Sequence, residues 1–112
     1  FAITQPIFDV TGFDNFLEKI EHLNIPIVAG IWPLVSVKNA EFMNNELPEV
    51  RVSKEIMDRM KSTHSKKEAR ETGIKIAQET IAEIKDKIDG LQVSMPFGNP
   101  DYPLKVLEVL DL

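Results

Sequence analysis

Three short apolar runs alternate with longer amphipathic stretches along this chain of 112 residues. The runs lie within residues 1–9, 25–31 and 91–95. The second run has no polar residue, a pattern that predicts a strand covered on both faces, and we expect the same cover for the whole sheet, as in parallel sheets with helical crossovers. The order of elements predicts an α/β fold with three parallel strands and right-handed βαβ units.

Side chains that can cap helices divide the stretches between the strands. A Ser or Thr followed three residues later by an acidic residue is a capping box, which occurs at residues 11–14 and 65–68. Two further serines can begin short helices in the long connection after the second strand. The expected caps of the first four helices are Thr11, Ser36, Ser53 and Ser65.

The helix ends are predicted from residues that tolerate a left-handed backbone. Asn24 is expected to end the first helix, and Asp89-Gly90 the longest one, because Gly adopts positive φ without strain. A last helix begins near Asp101, and its leucines at positions 104, 107 and 110 are expected to face inward.

Composition excludes several classes of protein. The net charge of −5 argues against a basic nucleic-acid surface. No apolar run approaches the roughly 20 residues of a membrane span. Cysteine is absent, which excludes disulfides and thiolate chemistry and fits a cytoplasmic location. His22 and His64 lie far apart without the spacing of metal ligands, so we expect no metal site.

Polar residues follow each predicted strand, at the edge where a parallel sheet places its ligand site. These segments are residues 4–9, 32–39 and 94–99. Gln5 could bind a ligand with an amide-like edge or could bond to a neighbouring backbone. Asp9 could belong to the site or cap a turn, and Trp32 could stack on a planar ligand or pack under the loop.

The sequence contains no motif that defines a reaction. A dinucleotide fingerprint, a P-loop, a zinc-protease helix and a nucleophile elbow are all absent. From the pattern alone, we expect a partial α/β sheet with a ligand-facing edge.

Two strand motifs resemble those of the methylenetetrahydrofolate reductase family. Residues 3–9 read ITQPIFD and residues 26–33 read PIVAGIWP, close to the I-T-Q-x-x-F-D and I-x-x-G-I-x-P strands of that family. The resemblance covers essentially the whole chain, and residues 95–98 (MPFG) look closer to the bacterial form fused behind a homocysteine S-methyltransferase domain.

The resemblance implies a (β/α)8 TIM barrel that reduces methylenetetrahydrofolate with FAD and NAD(P)H. Residues 1–112 would form one partial TIM-barrel domain, βα units six to eight, incomplete without upstream residues. The catalytic glutamate and the flavin-binding residues are then expected before residue 1, so no catalytic or cofactor-binding residue is assigned.

The same resemblance implies where the folate substrate is bound. Gln5 matches the glutamine that binds the pterin. Asn39 stands where the family has a second substrate-contacting glutamine, and Met43 stands where it has a stacking aromatic residue. Gly98 and Asn99 occupy the region where the family usually offers an arginine. These three departures affect the expected substrate contacts.

Two alternatives remain open for the function. The chain could be a non-catalytic partial-barrel binding or interaction module, or part of another folate-using barrel such as a methyltransferase. In either case the unpaired strand edges predict self-association or a partner that supplies the missing strands. Without the flavin-binding half, the chain alone is expected to be inactive.

Overall fold

The computed structural model describes residues 1–94 and 100–110. Three strands, β1 (Ala2–Pro6), β2 (Ile27–Ile31) and β3 (Gly90–Val93), alternate with five α-helices. The helices are α1 (Val10–Ile20), α2 (Val37–Glu46), α3 (Lys54–Lys61), α4 (Lys66–Ile84) and α5 (Asp101–Leu107). Short 3-10 turns follow α1, α4 and α5, at Glu21–Leu23, Lys85–Lys87 and Glu108–Leu110.

The three strands form one parallel sheet in the order β1-β2-β3, which confirms the predicted α/β class and the three parallel strands. Ile3 is level with Val28, and Val28 with Gly90. Two residues further along β2, Gly30 pairs with Pro6 of β1 on one side and with Gln92 of β3 on the other. The register of β1 shifts between Ile3 and Pro6.

Within residues 1–94 and 100–110, the helices cover one face of this sheet and leave the other open. Ile27, Ala29 and Ile31 of the central strand are buried in a core with residues of α1, α4 and α5, such as Ile81 and Val106. Because side chains alternate along a strand, the residues between them point to the other face. We call this opposite side the uncovered face; by register it carries Ile3, Val28, Gly30, Gly90 and Gln92. Gln5 is exposed beside it, at the point where the register of β1 shifts.

The uncovered face corrects the prediction that the strands are covered on both faces. In β1, Ile3 and Gln5 are exposed, whereas Ala2, Thr4 and Pro6 are half-buried. The apolar run alone could not reveal this difference, because right-handed crossovers bring successive helices to the same side of the sheet.

A second core lies beyond the carboxyl ends of the strands. The long connection after β2 folds into α2 and α3, whose inward residues pack on α4 and on Phe8, which follows β1. We call it the distal core; its buried members are Phe8, Leu34, Ala40, Met43, Val50, Val52, Ile56, Met60, Ala69 and Ile76. It fixes the loop residues that follow β2 over the end of the sheet.

Several predicted helix boundaries hold and others change. Ser36, Ser53 and Ser65 cap α2, α3 and α4 as expected, and Asn24 has a left-handed backbone with φ 51° after the first helical segment. The first helix is capped by Asp9 instead of Thr11, because the Asp9 carboxylate accepts a hydrogen bond from the Gly12 amide.

The end of α4 and the face of α5 also differ from expectation. Gly90 does not end the long helix; α4 stops at Ile84 and Gly90 is the first residue of β3. Tyr102 and Val106 face the core in α5, whereas Leu104 is 63% exposed. None of the helices in the described ranges is both long and apolar enough to span a membrane.

Candidate functional site

The candidate site lies on the uncovered face at the carboxyl ends of the strands. Gln5 near the end of β1 and Gln92 in β3 both have exposed side chains at this end of the sheet. Gly30 of β2 pairs with Gln92 on one side and with Pro6, the residue after Gln5, on the other. Carboxyl ends of parallel strands are where α/β proteins place their ligands. The fold therefore brings two amides from opposite ends of the sequence to the same end of one sheet.

Thr4 has a structural role beside the site. Its Oγ1 accepts a hydrogen bond from the Gly30 amide at 2.9 Å and donates one to the Gln5 carbonyl oxygen at 2.9 Å. The hydroxyl thus satisfies a backbone amide where the register of β1 shifts. The polar character of Thr4 is explained by the sheet and needs no ligand.

Gln5 differs from its neighbour because its side chain makes no hydrogen bond within residues 1–94 and 100–110. The alternative that Gln5 bonds to a nearby backbone group is therefore not what the structure shows. Its amide borders an open cleft of ≈ 670 Å³ along the free edge of β1. Two basic residues, Lys19 and Arg51, and two acidic residues, Asp9 and Glu49, also line this cleft, so its walls carry both signs of charge.

Asp9 borders the same cleft but already has a partner. Its Oδ1 accepts the Gly12 amide at 3.1 Å as the cap of α1. The interpretation of Asp9 as a capping residue is confirmed, and its carboxylate is held at the helix start.

Trp32 and Asn39 form one hydrogen-bonded unit after β2. The Asn39 Oδ1 accepts from Trp32 Nε1 at 2.9 Å and from the Val35 amide at 3.3 Å. Ser36 Oγ in turn accepts from the Asn39 amide at 3.0 Å at the start of α2. Asn39 therefore holds the indole of Trp32, which is half-buried against the distal core.

This arrangement changes what Asn39 can offer to a substrate. Its oxygen is occupied by two internal donors, while its Nδ2 donates no hydrogen bond in the described part of the chain. A ligand could be reached only by that nitrogen, so Asn39 is a candidate donor and not an acceptor.

Met43 is not on the surface of the site. Its side chain is 2% exposed and lies in the distal core. In this conformation it cannot contact a substrate, because the helix face that it shares with Ala40 packs inward. The expectation that Met43 contacts substrate therefore has no support in its placement.

Gln92 is the residue that the sequence interpretation overlooked. It interrupts the apolar run of the third strand in the way that Gln5 interrupts the first. A polar side chain inside an otherwise apolar strand is the signal that could have identified it.

Other candidate residues lie outside the described residues, in particular Gly98 and Asn99 and the MPFG motif of residues 95–98. Among the residues that the structure does describe, no three His, Cys, Asp or Glu side chains are grouped as a metal site.

This geometry defines a class of protein. A parallel sheet with helices on one face, and free polar side chains at the strand ends on the other, is the arrangement of α/β proteins that bind a ligand at the carboxyl ends of their strands.

The family model described as methylenetetrahydrofolate reductase matches residues 1–94, and the chain belongs to this family. No curated protein matched the chain. Membership associates the chain with folate and one-carbon metabolism and supports an oxidoreductase activity for the full-length protein.

Proposed function

We propose that this chain is the folate-facing segment of a flavin-dependent methylenetetrahydrofolate reductase, which makes 5-methyltetrahydrofolate with NAD(P)H. Within that enzyme it would supply βα units six to eight of a (β/α)8 barrel. The family match over residues 1–94 supports the proposal. A sheet covered by helices on one face only is also what one part of a barrel wall looks like.

The observation that carries the proposal is the free amide of Gln5. Its side chain is exposed near the end of β1 and makes no hydrogen bond within residues 1–94 and 100–110. A glutamine amide donates and accepts at once, which suits the ring nitrogens, amino group and carbonyl of a pterin. The Thr4 hydroxyl donates a hydrogen bond to the Gln5 carbonyl oxygen and so fixes the backbone from which the Gln5 side chain extends.

FAD is proposed for the full-length protein, where it would carry the hydride between NAD(P)H and the folate. The residues of this chain do not fit a dinucleotide cradle, because its glycines at 12, 30, 73, 90 and 98 form no Gly-rich loop. We place the flavin site and the catalytic residues in other parts of the parent protein. The role of this chain is to bind and orient the folate.

The bacterial form fused behind a homocysteine S-methyltransferase domain is the subtype that we propose, on the sequence motif of residues 95–98. A parent protein of this kind would work in the cytoplasm. The length of the parent polypeptide and the sequence upstream of Phe1 test this subtype directly.

The proposed function is tested by Gln5→Ala in the full-length protein. We expect methylenetetrahydrofolate-dependent NAD(P)H oxidation to lose about tenfold in kcat/KM for the folate, the effect of one or two lost hydrogen bonds. The KM for NAD(P)H and the flavin content should stay at their wild-type values.

Gln78→Ala is the matched control. Its amide lies on the helical side, where Nε2 donates to the Lys105 carbonyl oxygen at 2.7 Å. A wild-type protein without flavin and without folate-dependent oxidation would refute the proposal and favour a non-catalytic module or a folate-using methyltransferase.

A further inference from the structure

The uncovered face is organised in levels across the three strands. At the lower level Ile3, Val28 and Gly90 are in register, so this level is apolar. At the next level Gly30 is in register with Gln92 on β3, and Gln5 immediately precedes its partner on β1. The polar side chains of β1 and β3 therefore lie near the level of Gly30, toward the carboxyl ends of the strands.

Gln92 resembles Gln5 in its surroundings. Its side chain is exposed and makes no hydrogen bond within the ranges that the structure describes. Its two neighbours in β3, Leu91 and Val93, turn to the helical side and pack on the core there. The strand could have placed an apolar residue at position 92 without loss of packing, so the amide has no structural purpose in the described part of the chain.

The central strand leaves room between the two amides. β1 and β3 are separated by two strand spacings, roughly 10 Å. Gly30 contributes no side chain at this level, and a Cβ built there would lie 2.7 Å from the Thr4 carbonyl oxygen. An added side chain would push β1 away, so Gly30 maintains both the close approach of β1 and the gap between the amides.

An aromatic residue follows the central strand beyond this gap. Trp32 directly follows β2, two residues beyond Gly30, and is half-buried against the distal core. The hydrogen bond from its Nε1 to Asn39 fixes the indole at 2.9 Å from an anchored acceptor. Two amides and a fixed aromatic ring are the groups that recognise a planar heteroaromatic ligand with polar edges.

We propose that Gln92 is a second specificity residue for the pterin. Its amide would hydrogen-bond to the pterin from the β3 side, while the amide of Gln5 would do so from the β1 side. The inference rests on the proposed function. In it, Gln92 recognises a polar edge of the pterin by hydrogen bonds. It also explains why polar residues interrupt two strands that are otherwise apolar.

The test is the binding of 5-methyltetrahydrofolate to the purified full-length protein, measured by calorimetry. Gln92→Ala removes the amide, and Gln92→Met keeps the length of the side chain without its donors. Both variants should raise the Kd about three- to tenfold, as expected for one neutral hydrogen bond. The KM for NAD(P)H and the thermal midpoint should stay at wild-type values, which a purely structural role would not predict.

Gln5→Ala and Gln78→Ala accompany these variants. A Kd within twofold of wild type for both Gln92 variants, with weakened binding for Gln5→Ala, would overturn the role of Gln92 and leave the proposed function intact. A wild-type protein that does not bind 5-methyltetrahydrofolate would overturn the proposed function, and the role of Gln92 with it.

Discussion

At the scale of single residues, two glycines show how differently the fold uses this residue type. A Cβ built at Gly73 on α4 would lie 1.6 Å from the Leu34 carbonyl oxygen. A Cβ at Gly90 would meet only Val28 Cγ2, at 3.5 Å, which is ordinary contact. α4 therefore packs directly against the backbone that follows β2, and this contact holds the distal core next to the sheet.

Gly73→Ala should lower the stability of the full-length protein by about 3 kcal/mol, because backbone atoms would have to move to accept the methyl group. Gly90→Ala is the matched control, and its effect should stay within about 1 kcal/mol. Urea unfolding followed by circular dichroism measures both. Equal stability of the two variants would contradict the close approach of α4 to Leu34.

At the scale of elements, local capping sets where most helices begin. Asp9, Ser36, Ser53 and Ser65 each accept a hydrogen bond from the backbone amide three residues ahead. Such caps satisfy amides that have no partner inside the helix. Thr11 has the right chemistry for a cap, but it lies two residues after Asp9, inside α1.

Asp9→Ala should destabilise the protein by about 1 kcal/mol through loss of this cap. Thr11→Ala should change stability by less than about 0.5 kcal/mol, because Thr11 is exposed within the helix and makes no capping bond. Thermal unfolding of both variants decides between the two caps. A larger loss of stability for Thr11→Ala than for Asp9→Ala would contradict this prediction and favour the capping box at residues 11–14.

At the scale of the whole molecule, the uncovered face and the free edge of β1 leave large apolar side chains in contact with water. Phe1 is 84% exposed and Ile3 is 55% exposed on this side. Exposed apolar edge strands recruit further strands or other chains. In the proposed barrel these surfaces would be covered by the other βα units.

The 112-residue chain expressed alone should therefore self-associate, with an apparent mass that rises with concentration in sedimentation velocity. Ile3→Lys should shift the population toward monomer by placing a charge on the associating face. Leu104→Lys is the control, since Leu104 is 63% exposed on α5, away from the edge of β1. A stable monomer at high concentration would contradict this prediction.

Features that depend on neighbouring residues could be predicted from the sequence. The alternation of strands and helices, the parallel sheet and the serine caps of α2, α3 and α4 all follow from side chains a few positions apart. Gln5 stood out for the same reason, as an amide inside an apolar run. These signals are local, and the structure preserves them.

Features that depend on register and on the packing of distant segments could be seen only in the folded chain. Which face of β1 is covered, the burial of Met43 in the distal core and the pairing of Asn39 with Trp32 are set by contacts between different elements. Gln92 is brought level with Gly30 by the pairing of β3 with β2. Residues 5 and 92 lie at the same end of the sheet because parallel strands connected by helices align their carboxyl ends, whatever their separation in the chain.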